Sequence, residues 1–177
     1  MIQAAALARL KKMDDAGVYI HLRRELKRLF GESAATFAKT LERLVQNGIL
    51  IRAARGVYVF AYSKQIGIAT LELIAQYLRR SEYNYLSYES ALAEHGIISQ
   101  IPFNLITVAT TGREGRFDTP YGTISFTHTM TSPEEIAANT IERPSHPLPL
   151  ANTYLALKNQ RSTHQNLELI EMNWEEG

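Results

Sequence analysis

The sequence of 177 residues contains no cysteine. This absence excludes disulfide bonds and thiolate metal sites, and it favours a reducing compartment. No stretch approaches the roughly 20 apolar residues that a membrane-spanning helix needs. Arg9, Lys11 and Lys12 interrupt the N-terminal segment too early for a secretory signal peptide. We therefore expect a cytoplasmic protein without a membrane partner.

Motifs for metal, phosphate-loop or nucleophilic chemistry are also missing. The glycines within 111–116 lack the lysine-serine ending and the following helix of a phosphate loop. Ser90 and His95 would lie about 140° apart on a helix, which does not form a nucleophile–base pair. No metal-ligand spacing is found among the five histidines, His21, His95, His128, His146 and His164. We expect no catalytic residues, no metal and no cofactor.

Charge is distributed unevenly along the chain, although the whole sequence has a net charge of only +1. Residues 1–62 contain 11 Lys and Arg against 5 Asp and Glu, a net charge of +6. Residues 63–177 contain 8 against 13, a net charge of −5. Such asymmetry predicts a polyanion-binding domain at 1–62, joined to a second domain at 63–177.

The segment from Ser33 to Val59 carries the most informative pattern in the chain. Ser33 suits a helix N-cap, because its hydroxyl can accept a hydrogen bond in the first turn. Gly48 suits a left-handed helix end. Two short strands, 49–51 and 57–59, then flank a bend in which a positive φ is expected at Gly56. The apolar face of this helix is predicted to consist of Phe37, Leu41, Leu44 and Val45.

The preceding residues complete a recognisable order of elements. A first helix is predicted to end near Gly17, and residues 18–20 favour a small strand. The second helix has an apolar face and a basic face. The inward residues are Leu22, Leu26, Leu29 and Phe30, and the outward ones are Arg23, Arg24, Lys27 and Arg28. Helix, strand, helix, helix and hairpin in this order predict a winged helix-turn-helix domain, which lays its last helix in the major groove.

The candidate DNA contacts follow from this arrangement. On the third helix, the face opposite the apolar stripe carries polar and basic side chains that can pair with guanine or adenine, or with phosphates alone. Small side chains beside them allow close approach to thymine methyl groups. The two arginines of the hairpin are expected at phosphates or in an adjacent minor groove. The predicted DNA-binding residues are Arg23, Arg24, Ala35, Thr36, Lys39, Thr40, Arg43, Gln46, Arg52 and Arg55.

The second half predicts a small α+β domain that contains a β-hairpin. Helices are expected at 66–80, at 85–95 with Ser87 as N-cap, at 133–139 and at 150–159. Strands are expected at 105–109 and 123–127, joined by a glycine-rich turn. Residues 143–149 contain three prolines and predict a loop, and residues 167–172 predict a strand or a helical turn.

Two sequence runs resemble a known family. The run 44–50, Leu-Val-Gln-Asn-Gly-Ile-Leu, followed by the wing 55–59, Arg-Gly-Val-Tyr-Val, is similar to the N-terminal domain of AbiEi-type antitoxins. The run 85–96, Tyr-Leu-Ser-Tyr-Glu-Ser-Ala-Leu-Ala-Glu-His-Gly, resembles the segment that follows the winged helix there. The resemblance implies a type IV toxin–antitoxin system with a nucleotidyltransferase-like toxin. It also implies autorepression through operator DNA by the N-terminal domain and toxin antagonism by the C-terminal domain.

Three interpretations are compared on this basis. The first is a cytoplasmic repressor and antitoxin that binds double-stranded operator DNA, with self-association on inverted repeats. The second is a winged-helix adaptor that binds proteins and no DNA, and the third is an enzyme acting through the second half. Arg113 and Arg116 are exposed residues of a hairpin tip, or they add a second contact to DNA or a partner. The salt dependence of DNA affinity separates the first interpretation from the second.

Overall fold

The chain divides into two compact units, Met1–Thr70 and Leu71–Gly177. The computed structural model describes residues 1–99, 101–102 and 104–163. Both units combine helices with a sheet, which confirms the predicted α+β class. Over this described range, none of the helices has the length and apolar character to cross a bilayer.

The boundary between the units differs from the predicted one between residues 62 and 63. Ser63 and Gln65 belong to the first unit because their side chains hydrogen-bond to Asp14. At the end of the same segment, the hydroxyls of Tyr19 and Thr70 lie 2.9 Å apart in a buried hydrogen bond. Residues 63–70 are therefore part of the first unit.

The first unit contains three helices around a three-stranded antiparallel sheet. In chain order the elements are α1 (Gln3–Asp15), β1 (Ile20–Leu22), α2 (Arg23–Phe30), α3 (Ala34–Gln46), β2 (Leu50–Ala54) and β3 (Val57–Phe60). The strand order is β1-β3-β2, and all four residues of the central β3 are buried. The small strand predicted at 18–20 lies at 20–22 instead, where Ile20 pairs with Val59.

The third helix has the predicted ends and the predicted apolar face. Ser33 Oγ accepts a hydrogen bond from the amide of Thr36 at 3.3 Å, and Gly48 has a φ of +68° just after the helix. Of the predicted stripe, Phe37, Leu41 and Leu44 are buried and Val45 is half-buried. The buried stripe holds α3 against the core and leaves the opposite face of the helix exposed.

Arg9 of α1 is bonded to the end of α2. Its guanidinium Nη1 donates to the carbonyls of Leu29 and Phe30, at 2.8 and 2.9 Å. These carbonyls have no partner within their own helix, and a cation is favourable at this end of a helix dipole. The contact fixes α2, which carries three of the basic side chains discussed below, Arg23, Arg24 and Lys27.

The described part of the second unit contains four helices and a six-stranded sheet. In chain order the elements are α4 (Thr70–Leu78), β4 (Asn84–Leu86), α5 (Tyr88–Glu94), β5 (Leu105–Thr110), β6 (Gly115–Thr119), β7 (Gly122–His128), α6 (Pro133–Ala138), β8 (Thr140–Ile141), β9 (Leu150–Ala151) and α7 (Thr153–Thr163). The strand order is β6-β7-β5-β4-β9-β8. The hairpin of this unit is β6–β7, whereas β5 and β7 are parallel, with Val108 beside Phe126.

The helix predicted at 85–95 begins only at Tyr88. Residues 84–86 form β4 because they pair with both β5 and β9. Ser87 occupies the N-cap position, but its hydroxyl makes no capping hydrogen bond and donates instead to Asn159 Oδ1 at 2.8 Å. The tertiary contact with α7 thus replaces the local cap that was predicted.

The other helices of the second unit follow their predictions with shifted ends. The helix predicted at 66–80 is the shorter α4, and the helix predicted at 133–139 is α6, with Ser132 as its N-cap. The helix predicted at 150–159 lies at 153–163, because residues 150–151 pair with β8 as strand β9. The element predicted at 167–172 lies outside the described residues.

The predicted loop at 143–149 is attached to α4 by a buried carboxylate. Glu72 is 4% exposed, and its two oxygens accept from Arg143 Nη2 at 2.7 Å and from His146 Nδ1 at 2.6 Å. Arg143 Nη2 also lies 3.3 Å from the carbonyl of Leu148. Because a buried carboxylate is costly without such partners, this cluster has a clear structural role in holding the loop.

Candidate nucleic-acid interface

Three basic side chains of α2 surround a cavity beside the start of α3. The cavity has a volume of about 350 Å³ and is lined by Arg23, Arg24, Lys27, Ala34 and Phe37. All three basic residues are exposed, and the Arg23 guanidinium lies 5.3 Å from the centre of the Phe37 ring. This cation–π contact orients the Arg23 guanidinium. The three basic side chains together place positive charge beside the N-terminus of α3.

Lys27 was not among the predicted DNA-binding residues, although the pattern placed it on the outward face of its helix. It follows Arg23 by four positions and Arg24 by three, so the three side chains share one face. That spacing is the signal that could have identified Lys27. Its relation to α3 required the tertiary structure.

The N-terminal half of α3 exposes the predicted small and polar residues. Ala35, Thr36 and Lys39 are exposed. The Thr36 hydroxyl accepts from Ser33 Oγ at 3.0 Å, so it belongs to the cap of the helix. Further along, Gln46 is exposed and its Nε2 lies 3.4 Å from Glu42 Oε1. These side chains form one accessible surface on the helix.

The C-terminal half of α3 contacts the first residue of the chain. Arg43 is exposed, but its Nη2 donates to the main-chain carbonyl of Met1. The Met1 ammonium donates to Glu32, and this hydrogen bond is the main reason why the pKa of Glu32 is lowered. Arg43 is therefore engaged within the chain, and a base contact requires this side chain to leave Met1.

Thr40 is not on the accessible surface of α3. It is 2% exposed, and its hydroxyl donates to Glu32 Oε1 at 3.2 Å. Thr40 was predicted beside the exposed face, but it is buried and its hydroxyl bonds to Glu32. Its prediction as a DNA contact is corrected accordingly.

The hairpin between β2 and β3 carries its two arginines on the surface. Arg52 and Arg55 are both exposed. Gly56 has a φ of +78°, which confirms the predicted positive φ at this bend. The pairing between β2 and β3 is irregular between Arg52 and Ala54, where Ala54 is opposite Val57. Arg55 thus lies in the bend, whereas Arg52 lies within β2, opposite Tyr58.

In the second unit, three arginines lie around the turn between β5 and β6. Arg113 and Arg116 are exposed, but they do not lie at the predicted hairpin tip, because β7 lies between β5 and β6 in the sheet and the hairpin turns at residues 120–121. Arg79 is half-buried between the rings of Phe117 and Phe126, at 5.2 and 4.6 Å from their centres, and its Nε donates to the Arg113 carbonyl at 2.9 Å. Burial, and then the charge of Arg113, lowers the pKa of Arg79. Arg79 thereby packs α4 against the turn.

Ser90 and His95 have separate main-chain partners. The amide of Thr107 donates to Ser90 Oγ at 2.8 Å, and His95 Nε2 lies 2.7 Å from the carbonyl of Ala151. Within the part of the chain that the structure describes, no group of three or more histidine or acidic side chains could hold a metal ion. The hydrogen bonds of Ser90 and His95 therefore connect α5 and the residue after it to strands β5 and β9.

In a comparison with protein families, residues 10–143 match the group described as a family of unknown function, DUF6088. The chain belongs to the DUF6088 family. A comparison with curated proteins gives no match.

Among solved structures, the DUF6088 chain is similar to the RV2827C protein from Mycobacterium tuberculosis, whose crystal structure matches with a TM-score of 0.62 and 15% sequence identity. The match covers 89% of the present chain and 60% of the Mycobacterium tuberculosis chain. At this identity the similarity concerns the fold alone.

Proposed function

We propose that the first unit is a winged helix that binds double-stranded operator DNA. The order α1, β1, α2, α3, β2, β3 supports this, because it is the order predicted for such a domain. The apolar side of α3 is buried while its other side is accessible, as a helix that enters a major groove requires. The excess of basic residues in this part of the chain also supports the proposal.

The observation that carries the proposal is the basic cavity between α2 and α3. Arg23, Arg24 and Lys27 line a cavity of about 350 Å³, and Ala34, the first residue of α3, lines it as well. A backbone phosphate of DNA suits this arrangement, because cations and a helix N-terminus both favour a bound anion. A phosphate held there positions α3, while base contacts would come from the exposed residues of that helix.

We assign the remaining contacts from exposure. Lys39 binds a phosphate or a base from the exposed face of α3, and Gln46 can pair with adenine. Arg52 and Arg55 bind phosphates or a narrow minor groove beside the helix. Arg43 reads a base only after it has left the carbonyl of Met1.

A salt series with the full-length chain tests DNA binding. We expect the chain to shift a duplex from the region upstream of its own gene, with an affinity that falls steeply as salt rises. Lys27→Ala should weaken binding to all sequences and reduce the logarithmic salt slope by about one unit. Lys12→Ala, with the same charge change on α1, is the control. No shift of any upstream duplex at low salt would contradict the proposal.

We further propose that the protein is the cytoplasmic repressor and antitoxin of a type IV toxin–antitoxin system. The resemblance to AbiEi-type antitoxins supports this role, with the second unit opposing a nucleotidyltransferase-like toxin. Co-expression with a toxin of that class encoded beside the gene should restore growth. Failure of the folded full-length chain to protect cells would remove the antitoxin role and leave the DNA-binding proposal unaffected.

The second candidate is an adaptor in which the winged helix binds a protein and no DNA. The contact between Arg43 and Met1 favours it, because one predicted base-reading side chain is engaged within the chain. An adaptor would show no measurable DNA affinity in the salt series. The same experiment therefore decides between the two candidates.

A further inference from the structure

Strand β6 (Gly115–Thr119) forms one edge of the six-stranded sheet and pairs on one side with β7. No other strand of the described residues pairs with its outer side. An edge strand presents a row of main-chain N–H and C=O groups to which another strand can bond. The residues of β6 indicate which strand would bond to this edge.

The hairpin determines which residues direct their main-chain groups outward. Thr119 and Gly122 are paired across a two-residue loop, and the residues beside such a loop bond to each other. The bonded pairs alternate along an antiparallel ladder, so Phe117 also bonds to β7. Arg116 and Asp118 consequently direct their N–H and C=O groups to the open edge.

The side chains on this edge complement a second copy of the same strand. Arg116 and Asp118 point to the same face, with side chains 67% and 79% exposed, and Arg116 Nε lies 3.7 Å from Asp118 Oδ1. In an antiparallel pair centred on Phe117, Arg116 of each copy lies directly opposite Asp118 of the other. An edge with charges of one sign repels its own copy, whereas this edge attracts it.

Phe117, the residue at the centre of such a pair, also favours pairing with a second copy of the strand. Phe117 is half-buried and lies on the opposite face of the strand, with its ring 5.8 Å from that of Phe126 in an edge-on arrangement. Two opposed residues without mutual hydrogen bonds have Cα atoms about 4.5 Å apart, so the two Phe117 rings would meet. Gly115 lies opposite Thr119 of the other copy, which leaves room for close approach.

We propose that β6 pairs with β6 of a second copy, antiparallel and centred on Phe117, so that two six-stranded sheets join edge to edge. This deepens the proposed function, since it names the surface through which two copies would associate on inverted repeats. The pair has four main-chain hydrogen bonds and two opposed charge pairs. Such a contact is smaller than the roughly 1,200–2,000 Å² of a stable interface, so the dimer is weak in the absence of DNA.

Sedimentation of the full-length chain at low salt and without DNA tests the pairing. We expect the mean mass to rise towards that of a dimer between about 10 µM and 1 mM protein. Arg116→Asp places like charges opposite each other and should weaken association about tenfold or more. The double variant Arg116→Asp/Asp118→Arg exchanges the charges and should restore association. Arg161→Asp, an exposed residue of α7, is the control for net charge.

Amide hydrogen exchange gives an independent measurement. The amides of Arg116 and Asp118 should become protected as the protein concentration rises, whereas that of Phe117 should not change. A wild-type chain that stays monomeric at about 1 mM overturns the proposal and leaves the edge to a strand of another protein. Unchanged dimerisation of a folded Arg116→Asp variant, or no rescue by the folded double variant, also overturns it. Each of these results leaves the DNA-binding proposal intact.

Discussion

At the residue scale, the buried His21 of β1 should make the free energy of unfolding depend on pH. The side chain is 2% exposed, and its Nε2 has no hydrogen-bond partner within the described residues. Burial lowers the pKa of His21, and the nearby Glu25 and Asp14 oppose this shift only in part. The unfolded chain therefore takes up a proton more readily than the folded chain. Stability should be lost as pH falls below the unfolded value of about 6.5.

We expect His21→Leu to reduce the loss of stability between pH 7.5 and pH 5. A single proton contributes at most about 1.4 kcal/mol per pH unit, which sets the size of the effect. Thermal unfolding at several pH values measures it. His128→Leu, which replaces an exposed histidine, should keep the acid dependence of the wild type. A His21→Leu chain with the full acid dependence would show that other groups cause it.

At the element scale, the hairpin between β2 and β3 is the sharpest test of the winged helix. Arg52→Glu/Arg55→Glu should abolish DNA binding, because both cations are exposed and would face phosphates. The melting temperature should change little, since neither side chain is in the core. Lys11→Glu/Lys12→Glu makes the same charge change on α1 and should reduce affinity far less. Retained binding by the hairpin variant would contradict the proposed docking.

The second sheet depends on a close approach at the start of β7. Gly122 has a φ of +133°, and a Cβ there would lie 2.5 Å from the carbonyl oxygen of Asn104 and 2.8 Å from Leu71 Cδ2. Gly122→Ala should therefore destabilise the second unit by about 2 kcal/mol or more. Gly67→Ala is the matched control, because the nearest atom is 4.0 Å from its added Cβ. Denaturant unfolding that is equal for both variants would refute this prediction.

At the scale of the whole molecule, the boundary after Thr70 predicts how the chain can be divided. A fragment of residues 1–70 keeps the hydrogen bonds of Ser63 and Gln65 to Asp14 and that of Thr70 to Tyr19. A fragment of residues 1–62 loses all of them. At about 1 kcal/mol for each hydrogen bond, the shorter fragment should melt at a clearly lower temperature. Both fragments bury a marginal core, so circular dichroism at low temperature should precede the comparison.

If the proposed function is correct, the folded fragment 1–70 should also bind operator DNA, more weakly than the full chain when association of copies contributes. Equal melting temperatures for the two fragments would contradict the structural role assigned to residues 63–70. Loss of DNA binding by a folded fragment 1–70 would contradict the location of the interface in the first unit.

The sequence alone determined the features that arise within a few residues of each other. The cap at Ser33, the helix end at Gly48 and the bend at Gly56 depend on side-chain chemistry and backbone freedom at those positions, and each was predicted correctly. The periodicity of 3.6 residues likewise identified the buried side of α3 and the exposed basic side of α2. The helical period also predicted the exposure of Arg23 and Arg24, and the predicted hairpin gave that of Arg52 and Arg55.

Only the tertiary structure decided what depends on residues far apart in the chain. Residues 85–86 were predicted as the start of a helix, but pairing with two neighbouring strands makes them part of β4. Thr40 was predicted beside the exposed face of α3, but the packing of the first unit buries it. Tertiary packing also brings Lys27 next to the start of α3, and it pairs β5 with β7 in parallel. Local propensities are worth a few tenths of a kcal/mol per residue, so packing and strand pairing override them.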